Sequence, residues 1–209
     1  MYLKELLTTI KERRSIREFT TAKINDEDIK ILIDAARYAP SNSNRQAWKF
    51  IILKNEKIKS GIAQAVKEKT EKIKHGIEDK ERLEMFGDYA KYFLVFSRAP
   101  VVIFVLYKTG LSIVDHVLSG TDAGAGIRKV ESELISVSMA IQNLLLAAHA
   151  MGLGACCMTS PLIAYAEIKK ILDIRPPFEI AALIPIGKYK KQPEPVTRKK
   201  IDRIIEMVE

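Results

Sequence analysis

Apolar residues at the start of the chain recur with the i, i+3, i+4, i+7 spacing of a helix, at Leu3, Leu6, Leu7 and Ile10. A second helix is predicted after Asn25, a good N-cap that is followed by carboxylates suited to the positive end of the helix dipole. Its buried face is expected to comprise Ile29, Leu32, Ile33 and Ala36. Because the residue before a proline avoids helical geometry, this helix must end near Ala39.

Three apolar segments have the length and composition of β-strands, at residues 49–53, 99–107 and 178–187. The second is apolar on both faces, which predicts a position in the middle of a covered sheet. Pro185 lies within the third segment and predicts a sheet edge or a bulge there. A short strand is also expected at residues 155–158, followed by a helix that Thr159 or Ser160 would cap.

A nearly all-apolar helix is predicted at residues 131–151. It contains serine, glutamine, asparagine and histidine side chains that a lipid-facing helix would have to hide, so we expect a helix buried in the protein and no membrane partner. Residues 56–84 interleave lysine with glutamate instead, which is typical of a solvated helical face. A nucleic-acid surface would lack those acids, so no nucleic-acid partner is expected.

The composition refines this picture. Hydrophobic residues make up 47% of the 209 positions, enough for one sizeable core, so we expect a single domain over residues 1–209. The 34 basic and 26 acidic residues give a net charge of +8, which favours anionic partners without choosing among them. The adjacent Cys156 and Cys157 make a poor structural disulfide, and charged residues interrupt the first apolar stretch, so a reduced cytoplasmic protein is expected.

Three arginines and a serine crowd around the end of the first helix, at Arg13, Arg14, Ser15 and Arg17. The planar guanidinium matches a phosphate through paired hydrogen bonds, so this cluster is a candidate phosphate site. A solvated basic turn is the alternative, and the stretch by itself favours that alternative.

A polar loop at residues 40–46 leads into the first strand and is rich in amide and hydroxyl side chains. Such side chains either form turns or bind a ligand from a rigid element, and the adjoining Trp48 favours a site. The glycine-bearing residues 111–129 fit neither a P-loop nor a dinucleotide-binding turn, which leaves a mobile loop or a lid. The three histidines are scattered, so no metal site is predicted.

The order of these motifs is more specific than any one of them. RRSIREF follows the first helix, SNSNRQAW leads into a strand, a long apolar helix with Gln142 and Asn143 precedes GLGACCMTSP, and a strand ending in IGK precedes a basic tail. In this order the chain resembles the nitroreductase family of FMN-dependent oxidoreductases over nearly its whole length. Ala47 stands where that family commonly has proline, and Ser136 where it often has an acid.

The resemblance implies an α+β fold in which a mixed central sheet is wrapped by helices around the long buried helix. It also implies an intertwined homodimer with two FMN sites at the interface. The tail, residues 188–209, would reach the partner subunit.

The resemblance further implies a set of cofactor-binding residues. Arg13, Arg14 and Ser15 would hold the FMN phosphate and ribityl chain, with help from Arg198 and Lys200 of the tail. The partner chain would contribute Pro40, Ser41, Asn42, Asn44 and Gln46. The turn that lies against the flavin ring would consist of Cys157, Met158, Thr159 and Ser160.

Arg17 and Thr159 are the catalytic residues that the resemblance implies. Arg17 would sit by the pyrimidine edge of the flavin and stabilise the negative charge of the reduced ring, and the Thr159 backbone N–H would lie near N5. Hydride would pass from NAD(P)H through flavin N5 to a nitroaromatic, a quinone or a similar electrophile in a ping-pong cycle. The alternatives are a specialised reaction of the same fold (dehalogenation, enone reduction or flavin fragmentation) and a flavin-binding protein without turnover.

Overall fold

The computed structural model describes residues 2–110, 117 and 131–208. The loop or lid expected at residues 111–129 lies outside the described residues, Val117 excepted. The α-helices are α1 (Tyr2–Glu12), α2 (Asp26–Arg37), α3 (Glu56–His75), α4 (Lys80–Ala90), α5 (Ser132–Ala150) and α6 (Tyr165–Ile171). The strands are β1 (Trp48–Leu53), β2 (Val101–Lys108), β3 (Gly154–Ala155) and β4 (Phe178–Gly187). Short 3₁₀ turns occur at Asn42–Asn44, Val95–Arg98, Ser160–Ala164 and Ile201–Arg203.

The four strands form one sheet in the order β1-β2-β4-β3, and all three strand pairings are antiparallel. Within the described chain, the parallel component expected of a mixed sheet is confined to an isolated bridge between Ser15 and Ala155. Helices pack on the sheet and the architecture is α+β, as predicted.

Strand β2 is the centre of this sheet, and its side chains alternate between two hydrophobic cores. Val101, Ile103 and Val105 belong to the core formed with α2 and α5. Val102, Phe104 and Leu106 belong to the core formed with α3 and α6. The prediction of a strand covered on both faces is therefore confirmed.

Pro185 lies where the outer side of β4 is sparsely paired. Strand β3 pairs with β4 only at Ile186 and Gly187, so the proline lies just beyond that pairing. A bulge does occur in β4, where the register with β2 shifts at Leu106 and Ile180, several residues before the proline. Pro185 therefore lies at a local edge of the sheet, one of the two positions predicted for it.

Helix α5 is the long helix predicted from the apolar stretch, and it is long and apolar enough to cross a membrane by length and composition. In the fold it packs against α2 and the sheet. Only one of its faces is covered, since Ile135 is 54% exposed. Gln142, expected inside, lies at the surface, and the Asn143 side chain donates to the Ala35 carbonyl at 3.2 Å.

Helix α1 forms where its periodicity predicts, but its apolar stripe is uncovered in the single chain. Leu3 is 67% exposed and Leu6 52%, and no residue of α1 is buried. Exposed apolar side chains in a row are typical of a surface that another molecule covers.

Several helices and strands begin or end at residues other than those that the sequence predicts. The helical stretch 56–84 is two helices, because Gly76 ends α3 and the Asp79 side chain caps α4. The helix expected after Thr159 or Ser160 does form, but it begins as a 3₁₀ turn and becomes α-helical (α6) only at Tyr165. The predicted cap is wrong, because Thr159 makes no side-chain cap bond. The strand expected at residues 155–158 is limited to β3 and a single bridge at Met158.

Candidate functional site

The arginine cluster is attached to the edge of the sheet. The Ile16 N–H donates to the Ala155 carbonyl at 3.0 Å, next to the Ser15–Ala155 bridge. Gly154 and Gly187 stand opposite each other in the β3–β4 register beneath this segment. A Cβ on Gly154 would lie 2.7 Å from Ile16 Cγ2, and one on Gly187 would lie 2.9 Å from Phe19 Cδ1. The close approach of residues 16–19 to the sheet therefore requires both glycines.

The turn after β3 is held by β4. Met158 and Leu183 exchange two backbone hydrogen bonds of 2.9 and 2.8 Å, and Cys156 is buried between these attachments. Residues 156–160 consequently have a fixed position facing the arginine segment.

A pocket of about 400 Å³ forms where the two segments meet. Its lining includes five of the predicted site residues: Arg17, Cys157, Met158, Thr159 and Ser160. The structure thus brings together both predicted catalytic residues, which are far apart in sequence. Within the described residues no hydrogen-bond partner accepts from the Thr159 N–H, and Thr159 is exposed. That donor is available to a bound molecule.

Two tyrosines in the same pocket were missed by the sequence analysis. Tyr89 and Tyr92, at the end of α4 and just beyond it, also line this pocket. Their i, i+3 spacing on one helical face was the available signal. The two tyrosines lie between the stretch 56–84 and the strand predicted from residue 99, a part of the chain for which the sequence analysis assigned no element.

The three remaining members of the arginine cluster differ in their surroundings. Arg14 Nη1 donates to the carbonyls of Lys11 and Arg13 at 2.7 and 2.9 Å, so its guanidinium caps the end of α1. Its Nε is buried without a hydrogen-bond partner in the described chain. Arg13 and Ser15 both lie close enough to Cys156 to influence the pKa of its thiol. The cluster supplies positive charge and unused donors, which suit an anionic group.

The polar loop before β1 has a strained backbone. Ser43, Asn44 and Gln46 adopt φ angles of 48°, 52° and 47°, in the left-handed region that most residues avoid. The Gln46 N–H donates to Ser41 Oγ at 3.1 Å, and the Gln46 side chain donates to Asn44 Oδ1 at 3.2 Å. Strain of this kind persists only where the surroundings fix the backbone.

Helix α5 provides that fixation through two contacts. Arg45 Nη1 donates to Glu133 Oε1 at 2.7 Å, and the side chain of Glu133 is only 9% exposed. The Asn42 N–H donates at 3.1 Å to Ser136 Oγ, which itself donates to the Ser132 carbonyl at 2.7 Å. Neither Arg45 nor Glu133 was among the predicted site residues, and Ser136 was noted only as a departure from the family pattern.

The loop and the arginine cluster lie at opposite ends of α5 in one chain. Ser136 contacts the loop near the start of the helix, whereas Met151 follows its end and leads into β3. At 1.5 Å per residue these positions are about 22 Å apart along the helix. A single chain therefore does not bring Pro40, Ser41, Asn42, Asn44 and Gln46 to the pocket of Arg17.

The C-terminal tail is likewise separate from the pocket. Arg198 and Lys200 line a cleft whose described walls all belong to residues 197–203. The tail touches α1 through Gln192, whose side chain donates to the Glu12 carbonyl at 2.6 Å. No contact in the described chain carries Arg198 or Lys200 to Arg13. In the described part of the tail, a 3₁₀ turn forms at Ile201–Arg203.

Burial dominates the ionisation of the two cysteines. It raises the pKa of the Cys156 thiol, although Arg17, Ser15 and Arg13 oppose the rise. Burial also raises the pKa of Cys157, and the neighbouring Cys156 adds to the effect. Cys157 is exposed by surface area, but its concave pocket hydrates a thiolate poorly. Among the described residues, no group of three or more histidine, cysteine, aspartate or glutamate side chains gathers at a potential metal site.

Comparison with known proteins gives the class of this protein. The sequence model of the nitroreductase family matches residues 10–188, so the chain belongs to that family. An iodotyrosine deiodinase from Haliscomenobacter hydrossis is 33% identical over 180 residues, which cover 84% of this chain and 75% of the relative.

Solved structures agree with the family on the fold. The crystal structure of a BluB-like flavoprotein from Clostridium difficile 630 superposes with a TM-score of 0.87 at 26% identity, and each chain is covered completely. A nitroreductase with bound FMN from Desulfitobacterium hafniense DCB-2 gives a TM-score of 0.72 at 23% identity, with 98% of each chain covered.

We predict that Glu133→Gln loosens the polar loop. The substitution removes the charge that holds Arg45, so amide exchange at Asn42 and Gln46 should accelerate about tenfold. Hydrogen exchange monitored by NMR or mass spectrometry measures this. Asp34→Asn is a matched control, because it breaks an exposed ion pair with Arg37 on α2 and should leave the loop unchanged. Equal exchange in wild type and Glu133→Gln would contradict the prediction.

We predict that Cys157 alkylates slowly at neutral pH. Only the thiolate reacts, and a raised pKa leaves less thiolate at any given pH. Iodoacetamide labelling of the Cys156→Ser protein, followed by mass spectrometry, should give a rate that still increases above pH 9.0, the ordinary value for this thiol. The same protein in denaturant serves as the control. If its profile matches the native one, the pocket does not raise the pKa.

Proposed function

We propose that this chain is an FMN-dependent oxidoreductase that passes hydride from NAD(P)H to a nitroaromatic, a quinone or a similar electrophilic acceptor. The observation that carries the proposal is the pocket that Arg17 lines together with the turn 157–160, whose Thr159 N–H is available. A cation and a backbone donor that line the same cavity suit a planar ring that gains negative charge. FMN in the D. hafniense nitroreductase supports the choice of cofactor.

The residues at the end of α1 fit the phosphate of such a cofactor. Arg13, Arg14 and Ser15 would hold it, and the buried, unpartnered Nε of Arg14 is a donor that an anion would satisfy. Gly154 and Gly187 keep this segment close to the turn, so the phosphate-binding and ring-binding groups belong to one site. Arg198 and Lys200 could reach the phosphate only by a different course of the tail or from a partner chain.

Bound FMN supplies a carrier that accepts hydride from NAD(P)H and delivers it to the acceptor. Arg17 would place positive charge beside the pyrimidine edge of the ring, and the Thr159 N–H would orient N5 by a hydrogen bond. Neither role needs a group that titrates near neutrality. The raised thiol pKa values of Cys156 and Cys157 fit this, because both side chains stay neutral.

We also propose a homodimer in which each site draws on both chains. The polar loop at residues 40–46 is held at the start of α5, whereas the pocket of the same chain lies beyond the end of that helix, about 22 Å further along its axis. The exposed stripe on α1 and the uncovered side of α5 offer apolar surface for a second copy. Such an arrangement would let the loop of one chain meet the arginine cluster of the other.

A second candidate is reductive dehalogenation by the same kind of site. It is favoured by the iodotyrosine deiodinase relative at 33% identity. The two activities would share cofactor and donor and would differ only in the acceptor that the pocket admits.

The proposed function predicts a yellow protein. Its flavin absorbance should bleach anaerobically with NADH or NADPH and return when nitroaromatics, quinones or halophenols are added, with rates that reveal the acceptor class. Arg13→Gln should raise the Kd for FMN about tenfold through loss of a charged phosphate contact, whereas Arg37→Gln on α2 should not. A colourless protein that cannot be reconstituted with FMN would refute the proposal. Bound flavin that neither nicotinamide reduces would indicate a binding protein instead.

The proposed dimer predicts a coupled loss of assembly and cofactor. Leu6→Glu places a charge in the apolar stripe of α1, so sedimentation should show a monomer that retains little FMN, since each pocket would lack the partner's loop. Thr8→Glu adds the same charge to α1 on the side away from the stripe and should leave a dimer with flavin bound. A monomeric Leu6→Glu protein with normal FMN affinity would show that one chain completes its own site.

A further inference from the structure

The guanidinium of Arg17 is held by an aromatic ring. Its central carbon lies 5.6 Å from the centroid of the Tyr92 ring, within the range of a cation–π contact. In residues 2–110 and 131–208, Arg17 makes no ion pair and no hydrogen bond through its side chain, and it is exposed. The position of this cation over the pocket therefore depends on the ring.

The Tyr92 ring belongs to a segment whose neighbouring residues are packed into the core. Tyr92 follows α4 in a turn in which its N–H donates to the Tyr89 carbonyl at 3.1 Å. The next residue, Phe93, is 2% exposed and belongs to the core shared by α3 and β2. The rings of Phe86 and Tyr89 pack edge-on against Phe93, with centroids 5.9 and 5.2 Å away. Packing of this kind fixes where the Tyr92 ring is presented.

We propose that Tyr92 is a positioning residue for Arg17. A long side chain with several rotatable bonds would otherwise spread over many rotamers in an exposed pocket, and a cation stabilises a developing charge only where it is already in place. The effect on catalysis rests on the proposed function. The contact itself, and the restriction that it places on the Arg17 side chain, do not depend on the proposed function.

The chain contains a matched pair that separates this role from a general effect of losing an exposed Arg–Tyr contact. The guanidinium of Arg37 lies 4.9 Å from the Tyr38 ring at the end of α2. Neither residue lines the pocket of Arg17. Tyr38→Leu therefore removes a similar contact elsewhere.

The first test is NMR of the full chain as isolated. Ring currents should shift the Arg17 side-chain proton signals upfield in wild type and in Tyr92→Phe, which keeps the ring. In Tyr92→Leu the signals should return to positions typical of a free arginine, while Tyr38→Leu should leave them unchanged and move those of Arg37. Identical Arg17 signals in wild type and Tyr92→Leu would overturn the proposal. Circular dichroism melting of each variant identifies one that has failed to fold, and Tyr92→Met then replaces Tyr92→Leu.

The second test uses the FMN-loaded protein. Tyr92→Leu should make the midpoint potential of the flavin more negative and slow its reduction by NAD(P)H about fivefold to tenfold, with the Kd for FMN nearly unchanged. Tyr92→Phe should behave as wild type. In an Arg17→Gln background, Tyr92→Leu should have no further effect, because the ring then has no cation to position. Equal effects of Tyr92→Leu in both backgrounds would overturn the proposal. A protein that binds no FMN refutes the proposed function and leaves the NMR test to decide the contact.

Discussion

The hydrogen bond between the Ile16 N–H and the Ala155 carbonyl joins the two halves of the candidate site. On one side of it stands the arginine cluster, and on the other the turn that carries Thr159. It can form because Gly154 and Gly187, which face each other in the sheet, leave room for the segment that passes over them. A Cβ at either position would meet atoms closer than 3.0 Å and push the segment away. The pocket therefore depends on the close approach of this segment to the two glycines.

Helix α5 organises the rest of the site by its length. Near its start Glu133 and Ser136 hold a loop whose backbone is strained at three positions, and beyond its last turn the chain enters β3 and the pocket. Strain is retained where surrounding contacts outweigh it, and such places are often functional. The helix therefore holds the loop and the pocket far apart in one chain, and this separation is the ground on which we propose a site shared between two chains.

Much of the fold could be predicted from the sequence because the local hydrophobic patterns agree with the tertiary packing. The apolar run that became β2 is buried on both faces, and Asn25 caps α2 as its side-chain chemistry predicts. The errors occurred where local signals were ambiguous. Thr159 and Ser160 looked like helix caps, yet the backbone of Met158 just before them pairs with Leu183, and a 3₁₀ turn follows. Tyr89 and Tyr92 were missed because residues 85–98 were assigned to no element, and i, i+3 spacing alone does not show which side chains meet a pocket.

Hydrophobic periodicity, caps and ordered motifs are local properties, so the amino-acid sequence was enough to predict the family, the order of elements and the residue types of the candidate site. Which of those residues meet depends on the tertiary fold. In the fold, Arg17 lines the same pocket as Thr159 and Tyr92. The Arg14 guanidinium donates to the end of α1, and Arg45 forms an ion pair with the buried carboxylate of Glu133. These contacts join segments distant in the chain, and side-chain spacing along a sequence carries no information about them.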